Sequence, residues 1–160
     1  MIIGSGISVG SGITIIGSSP SYLYWKWNIT AIKTPANNMT QASEFIFQLD
    51  GVDQSMSVTS ITNPGGSNPL NEEVTKLNDG NTSTKFLDYN VYAPSTTVIF
   101  QFAAAKRFNG YRWATANDVE GRDPASWTIS ASNDGTNYTV LHTVSGYVAS
   151  SARLTYQTPW

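Results

Sequence analysis

The sequence predicts an all-β fold, an antiparallel β-sandwich, and three observations carry that reading. Apolar and aromatic residues alternate with polar ones in short runs, Pro, Gly, Asn and Asp cluster between the runs, and almost no stretch repeats its apolar residues with a helical period. At 160 residues the chain has an ordinary single-domain length, enough to remove roughly 70% of the unfolded chain's surface from water. Residues 20–160 are read as the sandwich and residues 1–19 as an extended N-terminal arm.

From Ser21 the strands follow closely. YLYWKWNITAI, residues 22–32, reads as a long strand with Tyr22, Tyr24, Lys26 and Asn28 on one face and Trp25, Trp27 and Ile29 on the other. Aromatics on both faces predict burial on both. A loop around Pro35–Gln41 leads to EFIFQLDG, where Phe45, Phe47 and Leu49 form an apolar face and Asp50-Gly51 a turn. SMSVTSI is a short strand, followed by a Pro/Gly/Asn loop and a helical turn over Asn71–Leu77 with Asn71 as its N-cap.

Two further strands, TTVIFQFA and FNGYRWATA, precede the clearest hairpin, WTISASNDGTNYTVLHTV at residues 127–144. There Trp127, Ile129 and Ala131 alternate with Thr128, Ser130 and Ser132, Asn133-Asp134-Gly135 supplies a tight turn, and alternation resumes at Tyr138 and Val140. That parity groups His142, the only histidine, with Tyr138, Val140 and Val144 as a packed or edge residue. Trp113 and Trp127 read as core.

Composition excludes several classes of function. Charged residues are 12% of the chain against a usual quarter, and 9 Lys+Arg stand against 11 Asp+Glu with no basic stripe, which disfavours nucleic-acid binding. No apolar run approaches the roughly 18 residues of a membrane span, so membrane insertion is not expected. Cysteine is absent, which removes disulfides and thiolate metal sites. The N-terminus lacks a basic start and a continuous apolar core. Sequons at Asn28, Asn38, Asn81 and Asn137 fall partly where strands or tight loops are expected, which argues against passage through a glycosylating pathway. The expected origin is a cytoplasm, with export on an assembled particle.

The arm contains an imperfect six-residue repeat, IGSGIS then VGSGIT, followed by Ile15. Ile3, Ile7, Val9, Ile13 and Ile15 are all odd-numbered, whereas Gly4, Gly6, Ser8, Gly10, Gly12 and Thr14 are even. This is a period-two strand with one sticky face, too short to stabilise itself. It is expected to add its strand to a neighbouring subunit or to another protein of the same assembly. A passive Gly/Ser tail is the alternative.

Three pieces, LNDGNTSTKF (77–86), YRWATANDVEGRDPASW (111–127) and the 127–144 hairpin, together resemble the discoidin-like, galactose-binding-like family, in wording close to its variants in bacteriophage virion proteins. The likeness spans roughly Tyr22–Val144, and residues 145–160 match it poorly. It implies a jelly-roll sandwich. The strands YLYWKWNIT and SEFIFQLDG, usually last in that family, come first here, so the chain looks circularly permuted, which neighbouring termini permit.

Candidate chemistry sits in loops. Asp79, Asn81 and Thr84 offer a carboxylate, an amide and a hydroxyl around Gly80, oxygen donors of the kind calcium takes in sets of about six to eight. The resemblance adds Glu44 to that set and implies a structural Ca2+; a self-capped Asp/Asn turn without metal is the alternative, favoured by nearby Lys76 and Lys85. In DVEGRD, Asp118 and Asp123 could be offered as a glycosidase acid pair, but Arg122 is placed to pair with either, and a loop clamp ahead of Pro124 is preferred. Tyr89, Asn90 and Tyr92, with Asn117 and Arg122, could form an aromatic and polar platform for a glycan. The expectation is therefore a non-enzymatic structural protein on the outside of a phage virion, a capsid decoration or tail-associated component made in the host cytoplasm. Its partners would be other virion proteins or further copies of itself. The alternative is an adhesin that binds host cell-surface glycans.

Overall fold

The computed structural model describes residues 20–92 and 95–160, so Ile3, Ile7, Val9, Ile13 and Ile15 lie outside the described residues. Among the described residues eleven strands run in chain order: β1 Tyr22–Ile32, β2 Thr40–Ala42, β3 Glu44–Leu49, β4 Val52–Asp53, β5 Val58–Thr62, β6 Phe86–Asp88, β7 Thr96–Lys106, β8 Gly110–Ala114, β9 Pro124–Ser132, β10 Thr139–Val144 and β11 Tyr156–Gln157. They build a five-stranded sheet in the order β10-β9-β1-β7-β5, a four-stranded sheet β11-β8-β3-β4 and a small pair β2-β6. Every pairing is antiparallel.

The two larger sheets pack face to face through aromatic side chains supplied by period-two alternation. From the first sheet come Trp25, Trp27, Val98, Phe100, Phe102, Trp127 and Ile129, and from the second Phe45, Phe47, Tyr111 and Trp113, all fully buried. Rings meet across the interface at 5.1 Å for Trp25 and Phe47, 4.9 Å for Trp27 and Phe45, and 6.1 Å for Trp113 and Trp127. The two strand ends of the sandwich are chemically different. One, the loop end, carries the residues around Glu44, Asp88 and Pro124; the other, the arm end, carries Pro20, the β7–β8 turn, the β9–β10 turn and Trp160.

Several expectations need correction. The outer face of β1 is half-buried rather than buried: Tyr24, Lys26 and Asn28 stay partly exposed, with the Tyr138 ring over Lys26, while a register shift between Tyr22 and Tyr24 lets Tyr22 pack against the core; Leu49 is likewise only half-buried. The Asp50-Gly51 turn forms as expected, with positive φ at both residues. Asn71 is not an N-cap: its φ is 65°, a conformation Asn tolerates, and its N–H donates to the Glu73 carboxylate at 2.9 Å. The helical turn starts later, as a 3-10 turn over Val74–Asn78.

Beyond the β9–β10 turn the alternation does not continue. Val140 pairs with Ser130 and His142 with Ile129, so a bulge at Leu141 resets the parity. Val140 is 56% exposed, Leu141 and Val144 pack against the core, and His142 shares the inner side with Val144 but not with Val140. The final segment, unmatched by any motif, pairs through Tyr156–Gln157 with Ala114 and Trp113 of β8.

Trp127 is 1% exposed, donates its indole N–H to the Tyr111 hydroxyl at 2.6 Å, and packs against Trp27, Trp113 and Tyr147. Trp127→Ala is therefore expected to cost about 3–5 kcal/mol in denaturant unfolding, a large part of the roughly 5–15 kcal/mol typical of a domain. A soluble variant with an unchanged unfolding midpoint would contradict this packing.

Candidate functional site

The loop end gathers most of the residues singled out by sequence. Glu44 opens β3 opposite Ala114, and the 3-10 turn Val74–Asn78, anchored by buried Val74 and Leu77, delivers the loop 79–84 beside it. Gly80 has φ of 73°, which lets the loop fold back tightly. The Asn81 N–H donates both to Glu44 Oε1 at 2.8 Å and to Asp79 Oδ1 at 3.0 Å. The Thr84 hydroxyl lies 2.7 Å from Asp79 Oδ2 and 2.8 Å from the Asn81 carbonyl oxygen.

Three of the four expected donors thus converge through their side chains: Glu44, Asp79 and Thr84. Asn81 does not, because its amide oxygen accepts from the Ser83 N–H at 3.0 Å in a local Asx turn; its contribution to the cluster is its backbone carbonyl. Lys76 Nζ approaches Asp79 at 3.4 Å. Lys85 points away from the cluster, toward Asp118. Glu44 is 2% exposed. Burial first, then the neighbouring Asp79 carboxylate, push it up from 4.5 to about 7 against the pull of the Asn81 N–H. Partial burial raises Asp79 as well, but the Thr84 hydroxyl, Glu44, the Asn81 N–H and Lys76 together hold it below its ordinary value. Two carboxylates, a hydroxyl and a carbonyl thus converge, four of the six to eight oxygens that calcium takes, with Lys76 already beside one carboxylate; no group of three or more acidic, His or Cys side chains gathers among the described residues.

The Asp118–Asp123 loop is a clamp, as expected, but with other partners. Lys85, 7% exposed, donates to Asp118 at 2.7 Å, lies 3.8 Å from Glu72 and meets the Gln41 amide oxygen at 3.4 Å. Fully buried Gln41 donates in turn to the carbonyls of Asp118 and Val119. Partial burial raises Asp118, but Lys85, Gln41 and Arg122 together hold the carboxyl below its ordinary value. Arg122 sits 3.8 Å from Asp118 and does not pair with Asp123. Instead Arg153 grips the buried Asp123 with two bonds, at 2.8 and 2.6 Å. Burial raises Asp123 despite that pairing.

Tyr89 and Tyr92 are 45% and 40% exposed on either side of buried Val91. Asp88, fully buried, fixes their segment by accepting from the N–H groups of Ser67 and Asn90 and from the Thr96 hydroxyl. Asn90 is held in the loop, donating to the Gly65 carbonyl at 3.0 Å, whereas Asn117 is exposed. Sequence reasoning missed Asp88, Gln41, Glu72 and Arg153. A single Asp closing the short FLD strand was the only signal for the first, and Arg153 had none. His142, at the other end, accepts or donates at Nδ1 with the Tyr111 hydroxyl at 3.0 Å and stacks on Trp160.

No family model matches the chain, and neither curated proteins nor solved structures give a match.

The Glu44 environment sets a pH dependence. Its pKa is higher folded, about 7, than the ordinary 4.5, so its contribution to stability is complete below about pH 4.5 and is lost as pH rises through 7. In chelator-treated buffer the melting temperature is expected to fall from pH 5 to pH 8, and Glu44→Gln to flatten that slope. Asp79, held low, acts only as pH falls below its ordinary 3.8. An identical slope in wild type and Glu44→Gln would contradict the burial of this carboxylate.

Proposed function

We propose that the protein is a non-enzymatic structural component on the outside of a phage virion, a discoidin-like jelly-roll sandwich docked through residues 1–19. The observation that supports it best is the polarity of the sandwich. Pro20, the first described residue, sits at the arm end beside Trp160, while the loops bearing Glu44, Asp79, Tyr89, Tyr92, Asn117 and Arg122 occupy the opposite end. A docking arm leaving from one end leaves the loops at the other free to face outward. The resemblance of LNDGN..TKF and RDP.SW...SNDG..Y, the sparse charge and the absence of cysteine support a particle-borne role. In this reading the candidate carboxylates brace loops: Asp118 is held by Lys85 and Asp123 by Arg153.

The Glu44, Asp79, Thr84 and Asn81 cluster holds a structural calcium ion in this reading. The ion would offset the charge of the two carboxylates and tie the 79–84 loop to β3. Binding to the folded state alone raises the melting temperature, by about 2.7 kcal/mol of stabilisation at free calcium 100 times the dissociation constant. Asp79→Ala is expected to abolish that response. No shift on adding calcium or chelator would remove the ion from the proposal.

The exposure of Tyr89 and Tyr92 supports the second reading, a glycan-binding adhesin. A glycan array is the discriminating measurement: binding that is lost in both Tyr89→Ala and Asn117→Ala favours the adhesin, and an unlabelled array favours the structural role.

For the arm, deletion of residues 2–16 is expected to leave the melting transition intact and abolish incorporation into particles. Ile7→Asp and Ile13→Asp are expected to do the same, each placing a charge on a face meant to be dry. Ser8→Asp and Thr14→Asp, on the opposite face, are expected to be milder. If all four substitutions behave alike, or the deletion variant still assembles, attachment comes from the sandwich.

A further inference from the structure

The arm end carries an apolar hollow of about 200 Å³ lined by Pro20, Tyr22, Phe108, Asn109, Leu141 and Trp160. Apolar cavities of roughly 150 Å³ hold a benzene-sized guest, so this one has room for a branched aliphatic side chain. Leu141 reaches it because the β10 bulge turns that residue inward. Trp160, 39% exposed, is held over it by stacking on His142 at 4.7 Å and by an edge contact with Tyr111 at 5.6 Å.

The hollow adjoins an open sheet edge. β10 ends the five-stranded sheet, and among the described residues no backbone group outside β9 bonds to it. An edge strand beside an apolar hollow is the arrangement that strand addition uses: main-chain hydrogen bonds hold the added strand, and a hollow takes alternate side chains. The chain supplies a matching strand. The 19 residues before Pro20 include isoleucines at 3, 7, 13 and 15 with Val9 in the same parity, Gly, Ser and Thr between them, and no charge. Those 19 residues join the sandwich at Pro20, on the rim of the hollow.

We propose that the hollow seats one isoleucine side chain of residues 2–16 from a second copy of this chain, which pairs along the open edge of β10. The inference rests on the docking role of the arm and names its partner. Residues 1–19 join the sandwich at the end that carries the hollow, so two copies meeting end to end about a single two-fold axis would each offer that segment to the other's hollow. The exchange is then closed and self-complementary.

The absence of cysteine gives a clean test on the full chain. Each of Ile7→Cys, Ile13→Cys and Ile15→Cys is mixed with Leu141→Cys and oxidised; each partner carries one thiol, so any disulfide joins two copies. A disulfide needs Cα atoms within about 7 Å. At least one isoleucine position is expected to give a mixed dimer at twice the chain mass, while Ser8→Cys and Thr14→Cys give none above the yield with Val140→Cys, which lies on β10 outside the hollow. Leu141→Asp is expected to abolish concentration-dependent dimerisation in light scattering, with Val140→Asp as the folded control.

If no mixture cross-links, or odd and even positions cross-link equally, the proposal is overturned. An Ile15→Cys/Leu141→Cys double variant that closes only within one chain also overturns it, in favour of an arm seated in its own copy. Particles that need residues 2–16 but assemble normally with Leu141→Asp remove this partner and keep the docking arm; particles that assemble without residues 2–16 remove the arm's role itself.

Discussion

The interlocking of aromatic rings between the two sheets, hung on β1, is the constraint from which the rest of the structure follows. β1 lies between β9 and β7, so both of its edges are hydrogen-bonded, and its inner side chains reach β3 and β8. Trp27 alone touches Phe45, Trp113 and Trp127. Interiors packed this tightly respond to changes of a single methylene, so the position of each strand is fixed by the shapes opposite it. Shape takes precedence here over polar satisfaction. Among the described residues the buried indole N–H groups of Trp27 and Trp113 meet no acceptor, at a cost of about 1–3 kcal/mol each. Both rings meet Trp127 edge-on at 88°, a geometry that aromatic quadrupoles favour.

That core also decides where charge can go. Only 12% of the chain is charged, and the buried part of it collects at the loop end: Glu44, Lys85, Asp88 and Asp123. Each is compensated differently. Asp88 binds backbone N–H groups and a hydroxyl, Lys85 faces two carboxylates, and Asp123 has a two-bond grip from Arg153. For Glu44, burial first and then the neighbouring Asp79 carboxylate outweigh the N–H groups of Asn81 and Gly80, so its pKa is raised to about 7 while Asp79 is held low.

Strands with strict alternation were legible from sequence because a single parity fixes both faces; Trp25/Trp27, Phe45/Phe47 and Trp127/Ile129/Ala131 are all buried as their spacing requires. Alternation failed where the backbone broke its own period. The bulge at Leu141 inserts one residue, and nothing in VLHTV marks it, since a bulge is chosen by the neighbouring strand. Asn71 and Asn81 misled for a related reason. Asn81 spends its amide oxygen on the Ser83 N–H in a local Asx turn, and Asn71 takes a left-handed backbone conformation whose N–H is met by the Glu73 carboxylate. Glu44 was found only through the family resemblance, because no spacing links it to a loop 35 or more residues away. Lys85–Asp118 and Arg153–Asp123 join segments 33 and 30 residues apart, pairings that exist only after the sheets have stacked.

The two ends therefore differ in what they can exchange with a partner. At the loop end the backbone is tied down by ion pairs and by Asp88, so its exposed side chains, Tyr89 and Tyr92 among them, stand on a fixed base. Buried pairs of this kind contribute more surely to a defined geometry than to net stability. At the arm end the one polar wall of the hollow, Asn109, is tied to Asp50 by two hydrogen bonds; the other walls are mostly apolar, and among the described residues no backbone group outside β9 pairs with β10. An apolar hollow next to an open edge loses the most water when another strand covers it. The end with the least charge is thus the end whose burial gains the most, and it is also the end from which residues 1–19 depart.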